Sequence, residues 1–398
     1  MSGRAILRGI GRLTLPLRMS VWTFGSINQS LLQTLVAVFE SCATVSRNEL
    51  RCTHNSHKRC KSKASVLESG LMTDHGTLII CLDFELHWGV RDKRSIEQYR
   101  ANLLGVREAV PRMLDLFTRY GIHATWATVG FLFFESKQEL LGSLPVEKPS
   151  YQDESLNPYP LLNKIGENEH ADPYHFASSL ISRIHATPGQ EIGTHTFSHY
   201  YCLEPGQTKV QFKADLEAAV SVAARRGIHI RSIVFPRNQV NPEYLPICAE
   251  LGLRAYRGTE HASFYQAGDG ASFNKPLKRA QRLLDAYLPL DNNSSYSVRD
   301  PGNGLPLNLP SSRFLRPYSH TLKSIDSLRR RRITHDLMCA AKEHLTYHLW
   351  WHPHNFGVQT DVNLGFLESI FREFDRVRAQ YGMVSSTMFE AAEKAGCA

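Results

Sequence analysis

The sequence predicts an α/β protein built as a βα barrel, and three observations lead there. Short apolar runs of β character alternate with stretches of helical periodicity, the pattern of a parallel sheet. The alternating region, residues 76–398, is long enough to close such a sheet into a barrel. No Gly-rich phosphate loop follows the first strand-like run, so the open sheets that bind nucleotides are excluded.

The elements follow in order from Gly76. Residues 77–82 (TLIICL) form an apolar run bounded like a buried strand. Residues 97–120 carry Leu103, Val106, Val110, Met113, Leu114 and Phe117 on one helical face, and Gly121 stops the helix. Residues 124–129 are strand-like. Residues 141–174, rich in Pro, Asn and Tyr, read as a long loop insertion, and a strand edge begins at Glu191. A helix is expected over 211–226, a strand over 231–235, a helix over 245–251 and a strand near Ala255. Residues 262–312 read as irregular surface excursions. A helix near 334–343 leads to an aromatic strand over 347–351. A helix over 363–381 buries Leu367, Ile370, Phe371, Phe374 and Val377.

Charge separates the first 75 residues from the rest. They hold ten Lys/Arg against four acids, a net +6 of the chain's +8. The basic character therefore belongs to this N-terminal extension, and the body has no charge signature of nucleic-acid binding. The extension is Arg-rich and acid-poor, consistent with a disordered or targeting segment or with residues ahead of the true start. Its most apolar stretch, 31–39, is too short for a membrane span. Eight scattered cysteines show no disulfide-framework or zinc-ribbon spacing; Cys52 to Cys60, with two histidines between, lacks the second half of a zinc site. Free thiols in a reducing compartment, the cytoplasm, are the simpler expectation.

Three clusters carry chemistry, each just after a strand, where a βα barrel collects function. In Asp83-Phe-Glu85 the two carboxylates are two apart on an extended backbone and face one cavity. Taken alone, such a pair is more readily a solvated strand end or a helix cap. In His195-Thr-Phe-Ser-His199 the i, i+4 spacing on a helical turn puts both imidazoles on one face. With a carboxylate they make a two-His-one-carboxylate metal face; without one they are as readily packed histidines. In His352-Pro-His354, a histidine beside Trp350 and Trp351 suits a general acid or a structural role.

Together the clusters resemble the polysaccharide deacetylase family, also called NodB-homology or carbohydrate esterase family four, of the type associated with surface-polysaccharide gene clusters. The residues that carry the resemblance run in chain order: Thr77 to Glu85, His123 to Gly130, Gln190 to His199, Phe235-Pro-Arg-Asn238, Leu349-Trp-Trp-His352 and Gly382 to Met388. The most specific is the His-x-x-x-His motif. The resemblance implies a NodB-like distorted, seven-stranded (β/α) barrel over 76–398, with 1–75 outside it.

It also implies a metal-dependent hydrolase that removes N-acetyl groups from an acetamido sugar of a polysaccharide or its precursor. Glu85, His195 and His199 would hold a divalent metal, zinc. Asp83 would be the general base, Arg237 its electrostatic partner and His352 the general acid. Trp88, Trp126, Trp350, Trp351 and His354 would meet the sugar. Two departures stand out: the family's metal carboxylate directly follows the catalytic Asp, whereas Glu85 is one residue further on, and the family's third motif sets Arg before Pro, whereas Arg237 follows Pro236. The expected partner is a carbohydrate, with no nucleic acid and no integral membrane span; the sequence leaves the oligomeric state open. Two alternatives remain: a metal-free C–N hydrolase of a small cyclic amide, allantoinase-like, on the same barrel, or a catalytically dead carbohydrate-binding scaffold.

Overall fold

The structure, a computed structural model, describes residues 75–260, 262–266, 276–288, 294–300 and 302–397. The basic extension, with Cys42, Cys52, Cys60 and the apolar stretch 31–39, lies outside the described residues.

The strands are β1 (Thr77–Phe84), β2 (Ala124–Thr128), β3 (Gln190–Thr194), β4 (Ser232–Ile233), β5 (Ala255–Tyr256), β6 (Leu307–Asn308), β7 (Arg313–Phe314), β8 (Thr346–Trp351) and β9 (Val384–Ser386). The helices are α1 (Ile96–Tyr120), α2 (Lys137–Leu141), α3 (Ser178–Ala186), α4 (Lys209–Ala224), α5 (Leu245–Glu250), α6 (Pro276–Asp285), α7 (Asp326–Lys342), α8 (Thr360–Tyr381) and α9 (Met388–Lys394). Every strand pairing is parallel, in the order β6-β5-β4-β3-β2-β1-β8-β7. This is the distorted (β/α) barrel, with eight strands on its path instead of seven. β9 pairs with the first half of β1, and β2 pairs with the second half.

Strand parity sorts the side chains into two layers, because successive residues point to opposite faces of a sheet. One face of β1, with Ile79 and Cys81, joins Ala127, Val234, Ala255 and Leu307 in a small interior core. The other face, with Leu78, Ile80 and Leu82, packs beneath the helices in the main core. Asp83 has the interior parity and lies at the C-terminal end of β1, so the fold aims it at the barrel mouth.

Local signals set the helix limits. Ser95 and Gln98 form a reciprocal capping box at the start of α1, which therefore begins one residue before the expected 97. Thr208 with Gln211 and Thr387 with Glu390 do the same for α4 and α9. α1 docks on the turn that follows β8 by close backbone approach: a Cβ on Gly105 would overlap the backbone of Gly357, and a Cβ on Gly357 would overlap the backbone of Asn102. Asn102 adds a side-chain bond to the His354 carbonyl at 3.1 Å, so α1 fixes the segment that carries His352.

Some elements differ from expectation. α7 starts at Asp326, eight residues ahead of the expected 334. α2, α3, α6 and α9 were not foreseen, and α6 lies within 262–312, which is therefore not wholly irregular. Among the described residues, no helix is long and apolar enough to cross a membrane.

Candidate active site

Asp83 is 3% exposed and gripped by Arg257 in a two-pronged ion pair: Nη1 donates to Oδ1 at 2.6 Å and Nη2 to Oδ2 at 2.8 Å. Arg257 follows β5, donates also to Asn238 Oδ1 at 2.9 Å, and lies 4.1 Å from the centre of the Trp350 ring. Burial alone would raise the Asp83 pKa, but the adjacent guanidinium outweighs it and holds the carboxyl below its usual value.

Glu85 stands between the two histidines. Its Oε2 is 3.0 Å from His199 Nε2 and 3.3 Å from His195 Nε2, and all three side chains are buried. These are close to the roughly 3.4 Å between neighbouring ligands of a tetrahedral ion with bonds near ~2.1 Å. One ligand atom from each residue lies within 4.8 Å of the others. His195 Nδ1 donates to the Val234 carbonyl at 2.8 Å, so its Nε2 turns a lone pair toward the Glu85 carboxylate. Two lone pairs facing each other at 3.3 Å call for a cation between them, so the donor set suits a divalent metal. Burial opposes the charge on Glu85, yet His352, His195 and His199 together hold its pKa well below the usual carboxylate range.

The His-x-x-x-His segment is not a helical turn, as the spacing suggested. Thr196 and His199 take φ of 63° and 59°, and the chain bends so that both rings reach Glu85. A buried carboxylate on α4, Asp215, holds that bend. It accepts from the Phe197 N–H at 2.7 Å, the Ser198 N–H at 3.1 Å and the Ser198 hydroxyl. Leu86, Arg237 and Asn238, in the neighbouring loops, also have positive φ (47°, 56° and 54°), so backbone strain is concentrated around the site. Gly89 is required by packing: a Cβ there would overlap the Glu85 carboxyl.

His352 sits opposite, with its side chain 23% exposed and Nε2 3.5 Å from Glu85 Oε1 and 3.8 Å from Asp83 Oδ2. Trp350 and Phe314 flank it, with ring centres 5.6 and 5.8 Å away. The Trp350 indole N–H donates to buried Glu260 at 3.2 Å.

The structure thus brings together Asp83, Glu85, His195, His199 and His352 and relocates the remaining candidates. Arg237 does not reach Asp83. It pairs with Asp92, lies 3.5 Å from Glu204 and stacks over Tyr201 at 4.0 Å; the partner of Asp83 is Arg257. Trp126 and Trp351 are 0% exposed and have outward parity, flanking Phe117 of α1. Trp88 is also 0% exposed, packed on Phe131 and His175. None of these three can present a face to a sugar, and His354 is buried beneath His352, their rings stacked at 5.0 Å. The partly open aromatic is Trp350. Arg257, Asp215, Gly89 and Glu260 were missed. A polar residue on an apolar helix face could have indicated Asp215, whereas the other three have no periodic signal.

Residues 104–256 match the sequence model of the family described as polysaccharide deacetylase. No curated protein matches the chain. Among solved structures, the fold is similar to that of a Mycobacterium smegmatis protein bearing the polysaccharide deacetylase description, at 14% identity and TM-score 0.51 over 81% of this chain and 91% of that one. A Pseudomonas aeruginosa PAO1 protein of the same description is 11% identical, with TM-score 0.47 over 81% and 91%. A CE4 family pseudoenzyme from Bacillus anthracis is 10% identical, with TM-score 0.37 over 80% and 66%.

Proposed function

We propose that the chain, whose residues 104–256 match the polysaccharide deacetylase model, is a hydrolase of carbon–nitrogen bonds that removes N-acetyl groups from an acetamido sugar of a polysaccharide or its precursor, using zinc or a similar divalent ion held by Glu85, His195 and His199. The observation that carries this reading is the convergence of that donor set, at 3.0 and 3.3 Å, with Asp83 and His352 on the same mouth. An ion bound there would supply Lewis acidity to the acetamide carbonyl and lower the pKa of a water.

The protein's own groups do the rest. Asp83, kept ionised by Arg257, takes the proton of the attacking water. Arg257 holds both carboxylate oxygens, so the base is preset in orientation. His352, open to the cavity, gives a proton to the departing amine. Base and acid must be in opposite protonation states, which produces a bell-shaped pH dependence. Trp350, half-buried beside His352, offers the apolar face for the sugar. The catalytic unit is residues 76–398, working in the cytoplasm; deletion of residues 1–70 should leave fold and turnover intact, and an insoluble product would refute that boundary.

The test couples metal analysis to acetate release from a panel of N-acetylated glycans. About one ion per chain is expected, lost in His195→Ala or His199→Ala. Turnover indifferent to a strong chelator would sink the metal, and ureide hydrolysis without metal would point to a cyclic-amide hydrolase. Asp83→Asn and His352→Ala should keep the ion and lose roughly two to four orders of magnitude in turnover. Only the His352→Ala loss should shrink with better leaving groups, because a better leaving group needs no acid. Equal behaviour of the two would mean that the roles are misassigned.

A further inference from the structure

One wall of the mouth carries positive charge that its own residues do not neutralise. β7 and β8 pair in register, Phe314 with Trp350, and the Leu315 N–H bonds the Trp350 carbonyl at 2.8 Å. Two residues further along each chain come Arg316 and His352. Parity puts Phe314 and Arg316 on the side of Trp350 and His352. The contacts agree: Phe314 touches Trp350 at 4.7 Å and His352 at 5.8 Å between ring centres, and the Arg316 guanidinium lies 5.8 Å from the Phe314 ring.

The acids of this region are engaged elsewhere. Arg313 spans Asp285 at 3.2 Å and Asp336 at 3.1 Å, and Arg332 lies 3.6 Å from each. Arg329 takes Asp326 at 2.8 Å. Glu260 accepts from Trp350, and burial raises its pKa, which weakens it as an anion. Arg316 donates to the Arg282 carbonyl at 3.1 Å and has no carboxylate partner among the described residues. Arg279 on α6 and Lys93 in the loop after β1 add positive charge nearby; burial first, and then neighbouring guanidiniums including that of Arg279, lower the Lys93 pKa. A half-buried arginine whose guanidinium lies on the Phe314 ring that flanks His352, with no carboxylate partner among the described residues, suits an anion brought by the substrate: five planar donors match a carboxylate or a phosphoryl group.

We infer that Arg316 is a specificity-determining residue, binding an anionic group, phosphate or uronate, that the acetamido sugar carries next to the acetylated position. This rests on the deacetylase reading and names its substrate class: a sugar phosphate or phosphate-linked glycan, or an acidic glycan, in preference to a neutral chitin-like chain.

The test uses the full chain loaded with zinc and three probes: N-acetylglucosamine 1-phosphate, an N-acetylglucosaminyl-glucuronic acid disaccharide, and neutral N,N′-diacetylchitobiose. Acetate release gives kcat and KM, and calorimetry gives Kd independently of turnover. Arg316→Gln should weaken binding of the anionic probe by ~10-fold or more, the usual worth of a charge-assisted bond. Binding of the neutral probe should change by less than ~2-fold, and Arg316→Lys should recover part of the loss. Loss with the phosphate alone identifies a phosphorylated substrate, and loss with both anions identifies anion recognition in general. Equal loss on neutral and anionic probes, or none on either, overturns the proposal. If no probe releases acetate but N-acetylglucosamine 1-phosphate binds and Arg316→Gln abolishes it, the anion site stands and the deacetylase reading fails.

Discussion

Replacing Arg257 by Met tests the centre of the site most directly. Arg257 and Asp83 are both buried and joined at 2.6 and 2.8 Å, with Asn238 and the Trp350 ring completing the guanidinium's surroundings. Methionine retains much of the volume but leaves a buried carboxylate without its cation. Breaking a buried pair in this way costs about 3–5 kcal/mol, because the remaining charge keeps its desolvation penalty. The pH dependence should then change sign. In the native protein the Asp83 pKa is depressed, so its stabilising contribution is present above the ordinary carboxylate pKa and is lost as pH falls through the folded value. Without Arg257 burial dominates, the pKa rises, and Asp83 costs stability at neutral pH that is recovered as pH falls and it takes a proton. Urea unfolding at pH 7 and pH 5 reads this out: the gap between variant and native protein should be smaller at pH 5. Turnover at pH 7 should fall by roughly two to four orders of magnitude, as for loss of a general base. Arg257→Lys should recover charge but not the two-pronged grip. An Arg257→Met protein with native stability at both pH values, or a shifted pH–rate profile in Arg237→Met instead, would refute the assignment.

Other perturbations probe the supports of the site. Asp215→Ala leaves the Phe197 and Ser198 donors without an acceptor and should cost about 1–3 kcal/mol for each buried group left unsatisfied; metal affinity should fall with it, and an unchanged unfolding midpoint would show that the clamp is idle. Gly89→Ala pushes on the Glu85 carboxyl, so bound metal measured by elemental analysis should drop while far-UV circular dichroism stays native; full occupancy would show that Glu85 is not a ligand. His348 and His354 are buried with pKa values pushed down to about 3, mainly by desolvation. The unfolded chain therefore binds protons that the folded one refuses. Stability is full above pH ~6.5 and falls as pH drops toward 3, by up to about 1.4 kcal/mol per pH unit for each group. Urea midpoints that stay flat from pH 7 to pH 4 would contradict this.

The sequence by itself determined the barrel class and the five groups at the mouth. Periodicity and strand ends are local properties, and Asp83, Glu85, His195, His199 and His352 each sit at the end of a strand or just beyond it. A β-strand's end is legible because the apolar run stops. Tertiary structure decided which neighbours those groups would meet. Arg237 and Arg257 both follow short strands in sequence, and both are plausible partners for a carboxylate. Only the parallel order β3-β4-β5 and the left-handed backbone at Arg237 turn one toward Asp92 and the other toward Asp83. Likewise, nothing in Trp350-Trp351 says which ring faces the cavity. Their pairing with Cys81 and Leu82 of β1 sets that parity, sending Trp351 under α1 and leaving Trp350 at the mouth. The i, i+4 histidines were legible as a pair but not as a bend. Their geometry depends on Asp215, whose carboxylate reaches across from α4 because it finds there N–H and O–H donors that no local element satisfies.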